Sequence, residues 1–393
     1  MRMIAIDKHC TGCGACAAVC PKGCITLLPN ERGILYPRIL QDQCVDCHAC
    51  EKVCHRSVRS EKTDEPAAYA VRTNNEEYLQ RSTSGGAFSA LAESILRQGG
   101  AVYGCAWTEH LQARHVRITS LNGLYRLNGS KYVQSDCADA FLQVKNDLKS
   151  NLTVLFSGTP CQVAALKRYL GGDRQNLITV DVVCHGVTPQ SFFDKYIRWY
   201  EKKHQIDLEN YDFRSKVNGK WSLAGECSGK DIKTGRNIHK KIFYYKEFYY
   251  FYFLKGLAYR ESCYSCKYAN LNRPGDITLG DLWGAESLGL NYDVTAGCSL
   301  YLANSAKGAE ALKQIDVNAK RIDLEQAVRL NRQLTEPSTR PSDYESTMAF
   351  LARADAEAID RAFRKQHRKA RFTGFIKYHI PAKLKQKLKQ AVR

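Results

Sequence analysis

The 393-residue sequence contains no run of about 18 uncharged apolar residues, so no bilayer-spanning helix is expected. Its first residues, MRMIAIDKHC, lack the apolar stretch and small-residue cleavage site of an export signal, and a cytoplasmic protein is expected. The ten histidines show no H-x3-H or HExxH pairing, which excludes the helical two-histidine zinc motifs. Acidic residues are missing from one region only. Between Arg361 and Arg393 stand twelve Lys or Arg and no Asp or Glu; of the formal +18, this leaves +6 for the first 360 residues. The basic excess is mostly a property of the tail, and no nucleic-acid partner is expected for the chain as a whole. Hydrophobic content of 44% and aromatic content of 10% are ordinary for a globular protein, and the length suits two or three domains.

Cysteine is abundant. Seventeen cysteines without an export signal point away from disulfides and towards metal or redox chemistry. CTGCGACAAVCP places Cys10, Cys13, Cys16 and Cys20 before Pro21, and CVDCHACEKVCH places Cys44, Cys47, Cys50 and Cys54 before His55. Each cysteine of the second set lies 34 residues after its counterpart, an internal repeat. The C-x2-C-x2-C-x3-C spacing matches the bacterial two-cluster ferredoxins, in which the fourth cysteine of each run serves the other cluster. The match implies one [4Fe-4S] cluster on Cys10, Cys13, Cys16 and Cys54, and another on Cys44, Cys47, Cys50 and Cys20. Gly12 and Gly14 suit a tight ligand loop, and His55 stands where proline is usual. Two zinc sites or a disulfide framework are the alternatives.

SEKTDEP, residues 60 to 66, is polar and reads as a linker. Beyond it, apolar runs alternate with helical patterns. AYAVRT and AVYGCAW read as strands, with SGGAFSALAESILRQGG between them as a helix ended by Gly99 and Gly100. LTVLFSG is a buried strand followed by a helix with Pro160 in its first turn, and LITVDVVCHG is another buried strand. The alternation implies an α/β body with partly parallel strands, whose ligands bind at the carboxyl ends. STSGG, Ser82 to Gly86, opens a helix there, either as a phosphate cradle or as an ordinary cap with glycines for close packing. Cys161 and Cys184 each follow a strand, hence share one edge, and alone would pass for small apolar residues. ESCYSCKY adds the pair Cys263 and Cys266, half of a metal site or a redox dithiol.

The ordered segments STSGGAFSAL, SKYVQSD, VLFSGTPCQVAALKRYL, VDVVCHGV and SCYSCKYANLNRPGDITLGDLWG resemble the family of beta subunits of coenzyme F-420 (deazaflavin) hydrogenases and dehydrogenases, over roughly residues 68 to 305. Thr188-Pro189 departs from the commoner Pro-Ser. The resemblance implies a flavoprotein, usually with FAD, that passes electrons between clusters and a hydride-type partner. It implies a third [4Fe-4S] cluster on Cys161, Cys184, Cys263 and Cys266, and flavin contacts at Ser82, Ser84, Gly85, Gly86, Lys131 and Gln134. A structural zinc on the same four cysteines is the alternative. Many bacterial relatives accompany cell-surface polysaccharide synthesis, so that link is carried as an expectation.

Other features stay open. Arg273, Asp276 and Asp281 would hydrogen-bond near a cofactor or sit in a surface turn. His185 is a proton-donor candidate, against a solvated or core histidine. Cys24, Cys105, Cys137, Cys227 and Cys298 have no partner at ligand spacing and are assigned to packing. FYYKEFYYFYFLKG, residues 243 to 256, is expected in the core. Ser342 and Glu345 stand at capping-box spacing, and after Pro381 the basic AKLKQKLKQAVR suits an anionic membrane surface.

The expected fold is an α/β flavin-binding body with an N-terminal α+β ferredoxin-like domain and a basic helical C-terminal tail. The expected domains are 1–60, 61–335 and 336–393. The expected function is that of an iron-sulfur flavoprotein oxidoreductase working with a redox protein or a deazaflavin or other small-molecule substrate, and resting on the inner face of the cell membrane. An electron-carrier or adaptor subunit without substrate chemistry and a zinc-stabilised scaffold are the alternatives.

Overall fold

The computed structural model describes residues 6–57, 65–216 and 219–379. Most of the expected linker and the whole basic stretch after Pro381 lie outside the described residues. Two short strands, β1 (Ile25–Pro29) and β2 (Leu35–Ile39), pair antiparallel between the two cysteine runs. The body adds β3 (Ala67–Thr73), β4 (Ala101–Trp107), β5 (Ala113–Ile118), β6 (Val154–Gly158), β7 (Leu177–Val182), β8 (Ile206–Asp212), β9 (Ala224–Asp231), β10 (Asn237–Phe243), β11 (Ile277–Asp281), β12 (Ser299–Ala303) and β13 (Val317–Ile322). Eight of these form one sheet in the order β13-β3-β12-β11-β7-β6-β4-β5, and β8 to β10 form a separate antiparallel sheet. The expected mixed α/β architecture is present.

In the large sheet, β4, β6, β7 and β11 run parallel, so Trp107, Gly158, Val182 and Asp281 end on one edge. Their near-continuous apolar runs follow from burial on both faces. Thr159 and Gln162 close a capping box around Pro160, which fixes the start of the helix Pro160–Tyr169 directly after β6. Gly99, at φ 77°, ends the helix Ala87–Arg97 as expected. The Ser342–Glu345 capping box does not form. Asp343 occupies the N-cap of Tyr344–Arg353, and Glu345 is drawn instead into ion pairs with Arg340 and Arg32.

The aromatic segment folds as the helix Phe248–Leu254, and six of its seven side chains are buried. It shares a core with the helix Gln190–His204, the β8–β10 sheet and Tyr344, Met348, Leu351, Ile359 and Phe363 of the C-terminal helices. The ferredoxin-like segment is anchored through Ala15 and Val53, which join the core formed by the helices Ala138–Lys149 and Pro160–Tyr169.

Candidate redox centre

The two cysteine loops repeat in backbone as well as in sequence. Gly12 and Gly14 adopt left-handed φ angles of 62° and 80°, and the residues 34 positions later, Asp46 and His48, adopt 51° and 57°. Asp and His tolerate this region better than most residues with a Cβ. The two loops differ in surroundings. A Cβ on Gly12 would lie 2.6 Å from Gln134 Nε2 and 2.7 Å from Arg260 Nη1, and one on Gly14 would lie 3.0 Å from Ala138. Asp46 is exposed. The first loop is docked and needs glycine; the second is free and does not.

Buried polar groups hold the docked loop. Gln134 Nε2 donates to the carbonyls of Thr11 and Gly12, and Arg260 donates to those of Cys10 and Leu35. Arg260 also donates to Gln134 Oε1, and the Cys137 thiol donates to Cys13 O. Gln134 therefore touches the ferredoxin-like segment.

The thiols of Cys10, Cys13, Cys16 and Cys54 are mutual neighbours. Burial chiefly, with Cys10 and Cys54 nearby, pushes the Cys13 thiol up to about 11, and Cys16 is raised further by burial and by Cys13, Cys10 and Cys54. Cys20, Cys44, Cys47 and Cys50 line one small cavity. Cys24, buried in the small core of this segment, lines it too, with its Sγ 3.4 Å from Cys20 Sγ.

Cys161, Cys184, Cys263 and Cys266 come together at the carboxyl edge around a cavity of about 310 Å³. Cys161 lies in the first turn after β6 and Cys184 two residues past β7. Cys263 lies in the turn Glu261–Ser265, with Cys266 just beyond it. Burial pushes the Cys263 thiol up to about 12, with Cys161 and Cys266 adding to it; Cys161 and Cys184 are raised for the same reasons. Arg273 spans this set. It pairs with Asp181 at 2.6 Å and donates to Val182 O, on the Cys184 side, and to Tyr268 O, on the Cys266 side. Asp276 is also buried, held by Thr179 and Ser305 with Lys167 and Lys307 nearby. Neither residue belongs to a surface turn.

The donor set tests whether a cluster fits. Four soft sulfurs ring the body cavity; among the described residues no acidic side chain lines it, whereas Arg56, Arg260, Lys267 and Arg273 do. Cationic lining offsets the negative charge of a thiolate-ligated cluster. Among the described residues, no three Cys, His, Asp or Glu converge on a position for a single metal ion. Four cysteine sulfurs around one cavity match the donor set of a [4Fe-4S] cluster. His185 is exposed at the same cavity.

The Ser82–Gly86 loop also lies at this edge, because Thr73 N donates to Gly85 O and Gly85 N to Ser299 Oγ. Its hydroxyls already have protein partners: Ser82 pairs with Ser89, Ser84 donates to Cys298 O, and Thr83 accepts from Ser130 N. A Cβ on Gly85 would lie 2.3 Å from Val71 O, so close backbone packing accounts for that glycine. Lys131, adjacent to Ser130, donates to Asn128 O at 2.5 Å, and burial lowers its pKa.

Residues not singled out in the sequence complete this region. Lys216 donates to Ser84 O at 2.7 Å and to Leu79 O, and burial chiefly brings its pKa down to about 7. Arg214 pairs with Asp281 and sits 5.0 Å from the ring of Trp283, which stacks on Trp221 at 4.3 Å. Arg214 Nη2, Ser215 Oγ, Trp221 Nε1 and Tyr250 OH are buried without a hydrogen-bond partner. Unsatisfied polar groups of this kind are rare in folded proteins.

Residues 152–329 match the family described as the carboxyl-terminal part of the coenzyme F420 hydrogenase/dehydrogenase beta subunit, and residues 9–58 match the 4Fe-4S dicluster domain. The chain therefore carries the carboxyl-terminal domain of this beta subunit family behind a 4Fe-4S dicluster domain. The match to the body starts well beyond residue 68 and extends past residue 305. A curated relative from Methanosarcina mazei is the F subunit of F(420)H(2) dehydrogenase, 25% identical over 242 residues, covering 57% of this chain and 67% of the relative. A chain of the F420-reducing [NiFe] hydrogenase complex from Methanosarcina barkeri aligns with a TM-score of 0.41 and 14% identity, covering 79% of this chain and 95% of that one. Among the described residues, no helix is long and apolar enough to cross a membrane.

Proposed function

We propose that this protein is an iron-sulfur oxidoreductase subunit that links a ferredoxin-type electron carrier to a two-electron partner through three [4Fe-4S] clusters and FAD. The observation that carries the proposal is the succession of three cysteine sets. They run from the exposed loop around Cys47, through the docked loop around Cys13, to the strand ends at Cys161 and Cys184. Cys13 lies close enough to Cys161 to raise its thiol pKa, so the last two sets adjoin. The cysteines would hold the clusters in the three fours given in the sequence analysis. Clusters supply one-electron transfer, and a flavin supplies the exchange of two electrons or a hydride. The chain itself sets distance, burial and charge around them.

Lys216, Lys131 and Arg214, beside the Ser82–Gly86 loop, are the cations suited to the flavin phosphates, and the unpartnered polar atoms supply further donors. The name of the Methanosarcina mazei relative supports reduced coenzyme F420 as the two-electron partner. Anaerobically purified protein should carry about twelve irons and one flavin. Coenzyme F420 or a ferredoxin should reoxidise that flavin. Iron without flavin would favour the carrier subunit instead.

Lys216 gives this proposal a pH signature. Its pKa is lowered to about 7, so the charged form that binds phosphate disappears as pH rises above 7. FAD affinity of flavin-free protein, followed by fluorescence quenching, should weaken by up to about tenfold per pH unit above 7. Lys216→Gln should flatten that dependence. A steep dependence retained in the variant would remove Lys216 from the site.

We further propose that the protein rests on an anionic membrane through the helix Arg368–His379. Gly374 packs against Tyr245, while Phe372 and Phe375 face outward, 66% and 46% exposed, beside Arg368, Lys369 and Lys377. Exposed aromatics bordered by basic residues suit a lipid headgroup layer. Phe372→Ser with Phe375→Ser should reduce co-sedimentation with phosphatidylserine vesicles severalfold. Binding unchanged by both substitutions would count against this helix.

A further inference from the structure

The 34-residue repeat is broken at one informative place. Pro21, after Cys20, is exposed; its counterpart His55, after Cys54, is buried. His55 does what proline cannot. Its Nε2 pairs with Thr11 Oγ1 at 3.0 Å, in the docked ligand loop, and its Nδ1 pairs with Tyr268 OH at 2.5 Å, two residues after Cys266. Lys267 Nζ donates to His55 O at 2.6 Å, so the following segment holds the histidine backbone as well. A neutral imidazole has one donor and one acceptor nitrogen, and two hydroxyls complement either tautomer.

We infer that His55 is a positioning residue that couples the Cys10 set to the Cys161 set, by tying the first ligand loop to the Cys263–Cys266 segment across the shared cavity. His55, Thr11 and Tyr268 all line that cavity together with the four body cysteines. The bridge contacts one residue next to a ligand of the N-terminal domain and one residue near a ligand of the body. Loss of the bridge would let the two cysteine sets move apart without removing any sulfur. Arg260, three residues before Cys263, and Gln134 donate to backbone carbonyls of the same loop, and His9 Nδ1 meets Ser265 Oγ at 3.3 Å at the exposed rim. Among the described residues, His55 is the buried side chain whose two ring nitrogens reach both ligand segments.

The inference rests on the three-cluster proposal, and the test separates the two. Dithionite-reduced wild-type protein and the variants His55→Pro, His55→Gln and Tyr268→Phe are compared by iron content, by electron paramagnetic resonance, and by hydrogen exchange of residues 9–16. With about twelve irons retained, His55→Pro should lose most of the magnetic interaction between neighbouring clusters and slow stopped-flow reduction of the innermost cluster at least about tenfold. Exchange in the first ligand loop should rise. His55→Gln, which can bond both hydroxyls, should restore most of the interaction, and Tyr268→Phe should reproduce part of the loss. Unchanged magnetic interaction and unchanged reduction rate in a twelve-iron His55→Pro protein would overturn the inference. If His55→Pro does not fold, Tyr268→Phe decides alone: an unaltered spectrum in that variant overturns it. A wild-type protein with only eight irons would instead sink the three-cluster proposal beneath it.

Discussion

Replacing Cys263 with alanine should lower iron content from about twelve to about eight per chain, with the N-terminal clusters retained. The geometry makes the separation clean. Cys263 lines the body cavity with Cys161, Cys184 and Cys266, whereas the N-terminal eight cysteines belong to a segment with its own strands and small core. On the proposed electron path the third set stands between the ferredoxin-like domain and the flavin, so the variant should also disconnect flavin reduction from that domain. Dithionite would still bleach the N-terminal clusters while a natural electron donor no longer reduced the flavin. Iron analysis with visible spectroscopy is sufficient. An unchanged twelve-iron protein would show that Cys263 holds no cluster.

Arg273→Met should be among the most destabilising single changes in the chain. Arg273 and Asp181 side chains are 1% and 0% exposed, and their ion pair is completed by bonds to Thr278, Gly275 and two backbone carbonyls. Removing the cation leaves a buried carboxylate uncompensated, which costs about 3–5 kcal/mol. Urea unfolding monitored by tryptophan fluorescence measures it. Because Arg273 ties Val182 O to Tyr268 O, the same change should loosen the spacing between Cys184 and Cys266. Iron loss from the body should therefore accompany the drop in stability, with the N-terminal clusters again spared. Asp181→Asn with Arg273→Met should recover part of the stability, since no unpaired charge remains. A loss below about 1 kcal/mol in the single variant would mean that the carboxylate finds another partner.

The sequence exposes those parts of this protein whose physics is local. Apolar runs such as Val154–Gly158 and Leu177–Val182 are legible because both faces of the strand are buried, and Pro160 marks a helix start by missing an N–H that the first turn does not need. Ligand spacing is local too, which is why the two N-terminal runs stand out. The body set was legible only as a half-site plus two strand-end cysteines; the resemblance joined them. Contacts made at long range left no spacing to read. Arg260 reaches across 250 residues to Cys10 O, and Arg214 reaches 67 residues to Asp281. The Ser342–Glu345 cap does not form because Glu345 pairs with Arg340 and with Arg32, the latter from the N-terminal segment and invisible to local spacing. Strands β8 to β10 were not anticipated. Ile206–Asp212 carries a period of two, whereas β9, with Gly225, Gly229 and few apolar residues, gives no such alternation to read.

The matched left-handed residues, Gly12 with Asp46 and Gly14 with His48, carry one further consequence. A duplicated domain has two nearly equivalent faces, and turning it half a revolution would offer the other loop to the body. Here the wrong face is refused: Asp46 and His48 would drive side chains into the space that Gln134, Arg260 and Ala138 require, and Pro21 could not pair with Tyr268. Asp46, His48 and Pro21 thus give a symmetric conductor a fixed polarity, with one terminal always facing inward and the other always facing whatever arrives from outside.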